Sequence, residues 1–84
     1  MKYSLMILPS VPKAMRKIPA ATRRRIDQHI ANLADNPRPH GCLKLAGYPN
    51  AYRIRVGNYR IIYTIDDAWR EVEVGIVADR KEAY

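Results

Sequence analysis

The sequence predicts an α+β fold, a small antiparallel-rich sheet packed against an N-terminal helical hairpin, in the order β-α-α-β-β-β with a short C-terminal tail. Three observations lead there. Apolar residues alternate with polar ones, at the period of a strand, near the start and again through most of the second half. Between those stretches the apolar residues fall twice at helical spacing. Prolines stand where each helix must begin or stop.

With 84 residues the chain has room for one hydrophobic core, so residues 1–84 read as a single domain. Hydrophobic residues make up 48% and charged residues 27%, a balance too apolar for a disordered chain. A core of this size leaves a thin stability margin, and a stabilising partner is expected. Cys42 is the only cysteine; it excludes an intrachain disulfide and reads as a small, mostly buried apolar thiol. The longest apolar stretches, Leu5 to Pro9 and Gly75 to Ala78, fall far short of the ~20 residues of a membrane span. No charged leader precedes an apolar signal core. A soluble cytoplasmic protein with no membrane partner is expected.

The first element is a strand over Lys2 to Leu8, where Tyr3, Leu5 and Ile7 alternate and Pro9 stops the run. Ser10 can cap a short helix, in which Val11, Ala14, Met15 and Ile18 form one apolar stripe and Lys13, Arg16 and Lys17 the opposite face. Pro19 ends it. A second helix runs from Ala20 to about Asp35 on a stripe of Ile26, Ile30, Leu33 and Ala34, and Pro37 blocks its continuation. Arg23, Arg24 and Arg25 occupy its first turns, where cations oppose the helix dipole. They serve either as a solvated face or as a contact to RNA or a protein partner.

From Asn36 to Asn50 the residues Pro37, Pro39, Gly41, Gly47 and Pro49 mark a long irregular connection, with room for a short strand near Leu43 and Leu45. His40 lies there and His29 on the second helix. Neither belongs to a set of ligands at recognisable spacing, so no metal site is expected.

The remainder is the most regular part of the chain. Tyr52, Ile54 and Val56 alternate with Arg53 and Arg55, Gly57-Asn58 supplies a two-residue turn, and Tyr59, Ile61, Tyr63 and Ile65 face one side of the returning strand. That turn pairs Val56 with Tyr59 and so sets Arg55 opposite Arg60, with both apolar faces coincident. Arg53, Arg55 and Arg60 then share the other face, with Arg60 pointing into solvent. Directly opposed cations repel unless an anion sits between them, which reads as a phosphate site in place of a merely solvated basic face. After the turn Asp66-Asp67-Ala68-Trp69, a strand from Arg70 to Ala78 should put Val72, Val74 and Ile76 on the core side. A regular hairpin would bring Gly75 beside Arg60, leaving room for a ligand. Trp69 reads as a loop anchor.

Charge points the same way. Fifteen Lys+Arg against eight Asp+Glu give +7, and arginine, whose fork matches phosphate oxygens, dominates the excess. An acidic protein partner would also suit such a surface.

The chain closes on Asp79-Arg80-Lys81-Glu82-Ala83-Tyr84. The basic helical hairpin, the Asn36-Pro37-Arg38 connection, the segment from Tyr52 to Tyr63 and the ending from Arg80 to Tyr84 together resemble the RelE branch of the RelE/ParE toxin superfamily over essentially the whole chain. The resemblance implies a toxin-antitoxin toxin: a metal-independent, cofactor-free endoribonuclease that cuts mRNA in the ribosomal A site, inhibits translation and is held inactive by a cognate antitoxin in a hetero-oligomer. In that family the ribose 2′-hydroxyl attacks the adjacent phosphate. Position by position, Arg53 and Arg55 match basic residues of the hairpin's first strand and Arg60 the phosphate clamp. Arg80 matches a leaving-group-side arginine, and Tyr84 a terminal aromatic that orients or stacks. Relatives often carry lysines at the positions of Arg53 and Arg55, and arginine scarcely loses a proton, so the resemblance leaves the general base unassigned here. Glu82 reads first as an ion partner in the tail. The alternatives are a ParE-like toxin that disables DNA gyrase and a non-catalytic RNA-binding module; the Arg80 and Tyr84 ending favours the nuclease.

Overall fold

The computed structural model describes residues 2–79. The elements follow the order β1 (Ser4–Ile7), α1 (Ser10–Met15), α2 (Ala20–Asn32), β2 (Leu43–Lys44), β3 (Ala51–Val56), β4 (Tyr59–Asp66) and β5 (Glu71–Asp79). The expected α+β class holds, with β2 as the short strand in the long connection. Five strands form one sheet in the order β1-β5-β4-β3-β2, in which only β1 runs parallel to its neighbour. A parallel pair needs a crossover. Here α1 and α2 supply it, leaving the sheet at the β1 edge, crossing one face and returning the chain to the far edge.

The buried stripe of that crossover is the expected one. Val11, Met15 and Ile18 from the first helical segment and Ile26, Ile30 and Leu33 from the second are all buried. They meet Ile54, Val56, Ile61, Tyr63 and Ile65 of the hairpin, and Val72, Val74 and Val77 of β5. Two details differ at the helix ends. Pro9, not Ser10, is the N-cap, and no side chain caps the helix; Ser10 Oγ instead donates to the Gly75 carbonyl at 2.8 Å, tying α1 to β5. α2 closes at Asn32, and Leu33, Ala34 and Asp35 continue as tighter turns bonded three residues back.

The hairpin of β4 and β5 departs further from expectation. Arg70 belongs to the turn, in a left-handed conformation with φ 52°, and the strand starts at Glu71 opposite Asp66. A register shift beside Gly75 then lets Tyr63 face Val74 while Ile62 faces Ile76, so one residue of β5 is extra. Alternation inverts past it. Val77 is buried and Ile76 is exposed on the outer face, opposite to the expected placement, and Arg60 faces Ala78 instead of Gly75. Gly75 lies under α1, where an added Cβ would sit 3.3 Å from Leu8 Cδ1, so the space beside it is not a ligand's. Trp69 is 77% exposed instead of anchoring the loop with its ring; its backbone N–H is held by Asp66 Oδ1 at 3.0 Å.

The Asn36-Pro37-Arg38 connection is clasped to the sheet from two sides. Tyr63, fully buried, donates its hydroxyl to the Pro37 carbonyl at 2.7 Å, and burial raises its pKa. Arg38 reaches Asp67 through Nη1 and Nη2 at 3.3 and 2.8 Å, donates Nε to the Tyr52 hydroxyl at 3.3 Å and lies 5.2 Å from the centre of that ring. Tyr3 adds a 2.6 Å hydrogen bond to the same carboxylate. The connection after α2 and the segment before β1 thus meet on one aspartate of the β4–β5 turn, and Arg38 links both to Tyr52 of β3. The Arg38 hydrogen bonds, followed by that of Tyr3, lower the Asp67 pKa from 3.8 to about 2.

Tyr63→Phe should cost about 1–2 kcal/mol in urea denaturation, because it strands the buried Pro37 carbonyl oxygen; an unchanged midpoint would refute that bond. For Asp67, a lowered folded-state pKa means stability that is present above pH 3.8 and lost as the pH falls through about 2. The Tm of Asp67→Asn should therefore lie below the parent's at neutral pH and converge with it towards pH 2. A Tm gap independent of pH would exclude this carboxylate as the cause.

Candidate nucleic-acid interface

The outer face of the sheet, opposite the helices, is set by the hairpin of β3 and β4. Gly57 takes φ 59° at the first position of its two-residue turn, the conformation a right-twisted hairpin favours there and one that glycine adopts without strain. Every pairing expected from that turn is present: Val56 with Tyr59, Arg55 with Arg60, Ile54 with Ile61. Because Ile54, Val56 and Ile61 are buried under the helices, Arg53, Arg55 and Arg60 project from the other face.

The three arginines differ in exposure. Arg55 is exposed. Arg60 is only 8% exposed, which corrects the expectation that it points freely into solvent. It sits on the central strand, with β3 on one side and Ala78 of β5 on the other, so its stem lies against backbone and neighbouring side chains. Arg53 is half-buried, and its Nε and Nη1 are enclosed with no hydrogen-bond partner among the described residues. A buried N–H without a partner is costly, and a charged one more so.

Two concavities adjoin these residues. On the outer face an apolar hollow of about 590 Å3 is lined by Leu45, Tyr48, Arg53, Ile62 and Ile76. At the edge of the sheet, α2 and the loop after Pro37 enclose a cavity of about 650 Å3 that brings His29, Asn32 and His40 together with Arg53 and Arg55. The basic run of α2 also reaches the hairpin: a Cβ on Gly57 would lie 3.9 Å from Arg25 Nη1. Of the expected site residues, Arg53, Arg55 and Arg60 are thus gathered by one hairpin. Arg80 and Tyr84, with Glu82, lie outside the described residues. The two histidines and Ile76 were not expected here, since a helix residue and a loop residue share no sequence period and the bulge at Gly75 carries no pattern of its own.

Chemically, the assembled groups stabilise negative charge. Opposed guanidinium groups can take two oxygens of one phosphate, and donors fixed in advance around such a group cost no reorganisation when charge develops on it. Among the described residues there is no group of three or more His, Cys, Asp or Glu side chains that could hold a metal ion. No helix among them is long and apolar enough to cross a membrane.

Residues 7–84 match the family model described as the ParE toxin of the type II toxin-antitoxin system parDE. A curated relative from Methanocaldococcus jannaschii, named as toxin RelE1, is 28% identical over 89 residues, covering all of this chain and 97% of that protein. Among solved structures, the RelE-RelB complex of Pyrococcus horikoshii superposes with a TM-score of 0.85 at 30% identity, over 99% of this chain and 100% of that one. A mutant of the E. coli toxin RelE in the free state superposes with a TM-score of 0.80 at 27% identity, over 99% of this chain and 88% of that one. A family match along nearly the whole length and a 30%-identical RelE of the same fold leave one conclusion: the chain belongs to the ParE toxin family of type II toxin-antitoxin systems and, within the RelE/ParE superfamily, is a RelE-type toxin.

Proposed function

We propose that this toxin is a ribosome-dependent endoribonuclease that cuts mRNA in the ribosomal A site and so stops translation in the cytoplasm. The observation that carries the reading is the cross-strand pair of Arg55 and Arg60, two cations set opposite each other by register, with Arg53 beside them. The proposed step is attack of a ribose 2′-hydroxyl on the adjacent phosphorus. The bond from phosphorus to the 5′ oxygen breaks, leaving a 2′,3′-cyclic phosphate on one fragment and a protonated 5′-hydroxyl on the other. Arg55 and Arg60 hold the non-bridging oxygens as charge builds. Arg80 acts on the leaving-group side and Tyr84 orients or stacks the RNA.

The proposed chemistry makes modest demands on the chain's own acid and base groups, because the ribosome presents the RNA already arranged for in-line attack. Free RNA should be a poor substrate. The apolar hollow beside Arg53 is of a size and character to take a base while the arginines take its phosphate. The RelE-RelB complexes among the similar structures support a cognate antitoxin for this chain as well. With a charge of +7 to cover, that partner should contribute an acidic or amphipathic segment, and the pair should form a hetero-oligomer.

Arg55→Ala should lower single-turnover cleavage on programmed ribosomes by about 10²–10³-fold, as for the loss of one preorganised anion contact, with Tm unchanged because the side chain is exposed. Arg60→Ala should lose as much rate and some stability too, given its burial. Cleavage at the parent rate by Arg55→Ala would end the clamp assignment. Growth arrest with gyrase inhibited and messages intact would place the chain with gyrase-directed toxins instead. In the tail, Arg80→Ala or removal of Tyr84 should slow cleavage at least about tenfold while Tm barely moves. A rate loss fully explained by unfolding would make both residues architectural.

A further inference from the structure

We propose that the cavity at the sheet edge, where His29 and His40 meet Arg53 and Arg55, is a second phosphate-binding site that takes a nucleotide flanking the cleaved bond. The inference rests on the nuclease reading for its substrate class, and it adds a wall of the site that the hairpin alone does not contain.

The cavity exists because β2 is short. It pairs with β3 only at Tyr52 and Arg53, so from Ile54 to Val56 the outer edge of β3 has no strand beside it among the described residues. α2 packs along the same strand and presents His29 and Asn32, one turn apart on one helix face. The loop leading into β2 closes the opening with His40 and Gly41.

The lining is selective in charge. Two imidazoles, two guanidinium groups and a carboxamide converge there, and none of the described lining residues is acidic. Arg25 lies one turn before His29 on the same helix. Five of the eight carboxylates, Asp66, Asp67, Glu71, Glu73 and Asp79, belong instead to β4, β5 and their turn. Cations gathered without a counter-charge repel, and an anion between them relieves that cost. Two nitrogens of Arg53 are enclosed and make no hydrogen bond among the described residues, a cost that a shift of the guanidinium towards an anion in the cavity would relieve. At about 650 Å3 the space exceeds what an isolated phosphate needs and suits a phosphate with its sugar or base. Arg53 also lines the apolar hollow on the outer face, so one side chain joins the edge cavity to the arginine face, and a single RNA strand can run through both.

The test uses the intact toxin released from its antitoxin and a 2′-O-methyl RNA hexanucleotide, which lacks the attacking hydroxyl and cannot be cut. Titration followed by NMR should move the ring signals of His29 and His40, and inorganic phosphate at higher concentration should move the same signals. The double variant His29→Ala/His40→Ala should bind the hexanucleotide at least about tenfold more weakly, as for losing charge-assisted hydrogen bonds. Its Tm should match the parent's, since both imidazoles are exposed. Silent imidazoles, or an unchanged hexanucleotide affinity in the double variant, would overturn the site. So would a double variant that loses affinity for the antitoxin alone, which would assign the cavity to an acidic segment of the protein partner. The readout is binding and does not depend on cutting. Failure of cleavage on ribosomes with the imidazoles still responsive would remove the nuclease reading and leave the phosphate site, whereas normal cleavage with silent imidazoles would do the reverse.

Discussion

The register between β3 and β4 is the constraint from which the rest of the molecule follows. A two-residue turn at Gly57-Asn58 fixes it, and a slip of one residue would send every side chain of a strand to the wrong face. In the register adopted, Ile54, Val56, Ile61, Tyr63 and Ile65 lie under the helices, and the cost of exposing that set pins the pairing. The same lock fixes Arg55 against Arg60 on the opposite face. Folding energy from one side of the sheet thereby holds together an electrostatic arrangement on the other that is unfavourable by itself.

Such an arrangement needs support at both ends of the hairpin. Beyond its tip, Arg25 of α2 stands close to Gly57, adding positive charge where the strands turn. At its base, Asp67 gathers Arg38 and Tyr3, and Tyr63 holds the Pro37 carbonyl, so the connection leaving α2 cannot drift from the sheet. These contacts are largely exposed, and exposed ion pairs are individually weak. Their value here lies in geometry: the loop they restrain is the one that carries His40 to the edge of β3.

Charge is correspondingly segregated. Acidic residues concentrate in β4, β5 and their turn, while arginines gather on α2, β3 and the outer face. The edge strands carry a different feature. Leu5, Met6 and Ile7 of β1, and Leu43 of β2, are large apolar residues left exposed at opposite margins of the sheet. An arginine cluster on a sheet with exposed apolar margins is the kind of surface that a partner segment mixing acidic and apolar residues complements, in keeping with a toxin from a two-protein system.

Features that depend on neighbours along the chain are legible in the sequence. Alternation in Tyr52 to Ile65 sets the buried face, Gly57-Asn58 sets the register, and together they place Arg55 opposite Arg60. The helical stripes were legible for the same reason, since period and proline punctuation act within a few residues. The remaining features depend on long-range packing. Ile76 and Val77 are adjacent and both apolar, so composition could not say which would be buried; the bulge at Gly75 chose Val77. Nothing along the chain marks Arg60 as buried while Thr64, on the same face of the same strand, is exposed. Arg38 and Asp67 are 29 positions apart, and His29 and His40 belong to a helix and a loop with no common period. Contacts of that kind arise only after the core has closed and fixed where each element lies, because the energy that forms them is small beside the energy that packs the sheet against its helices.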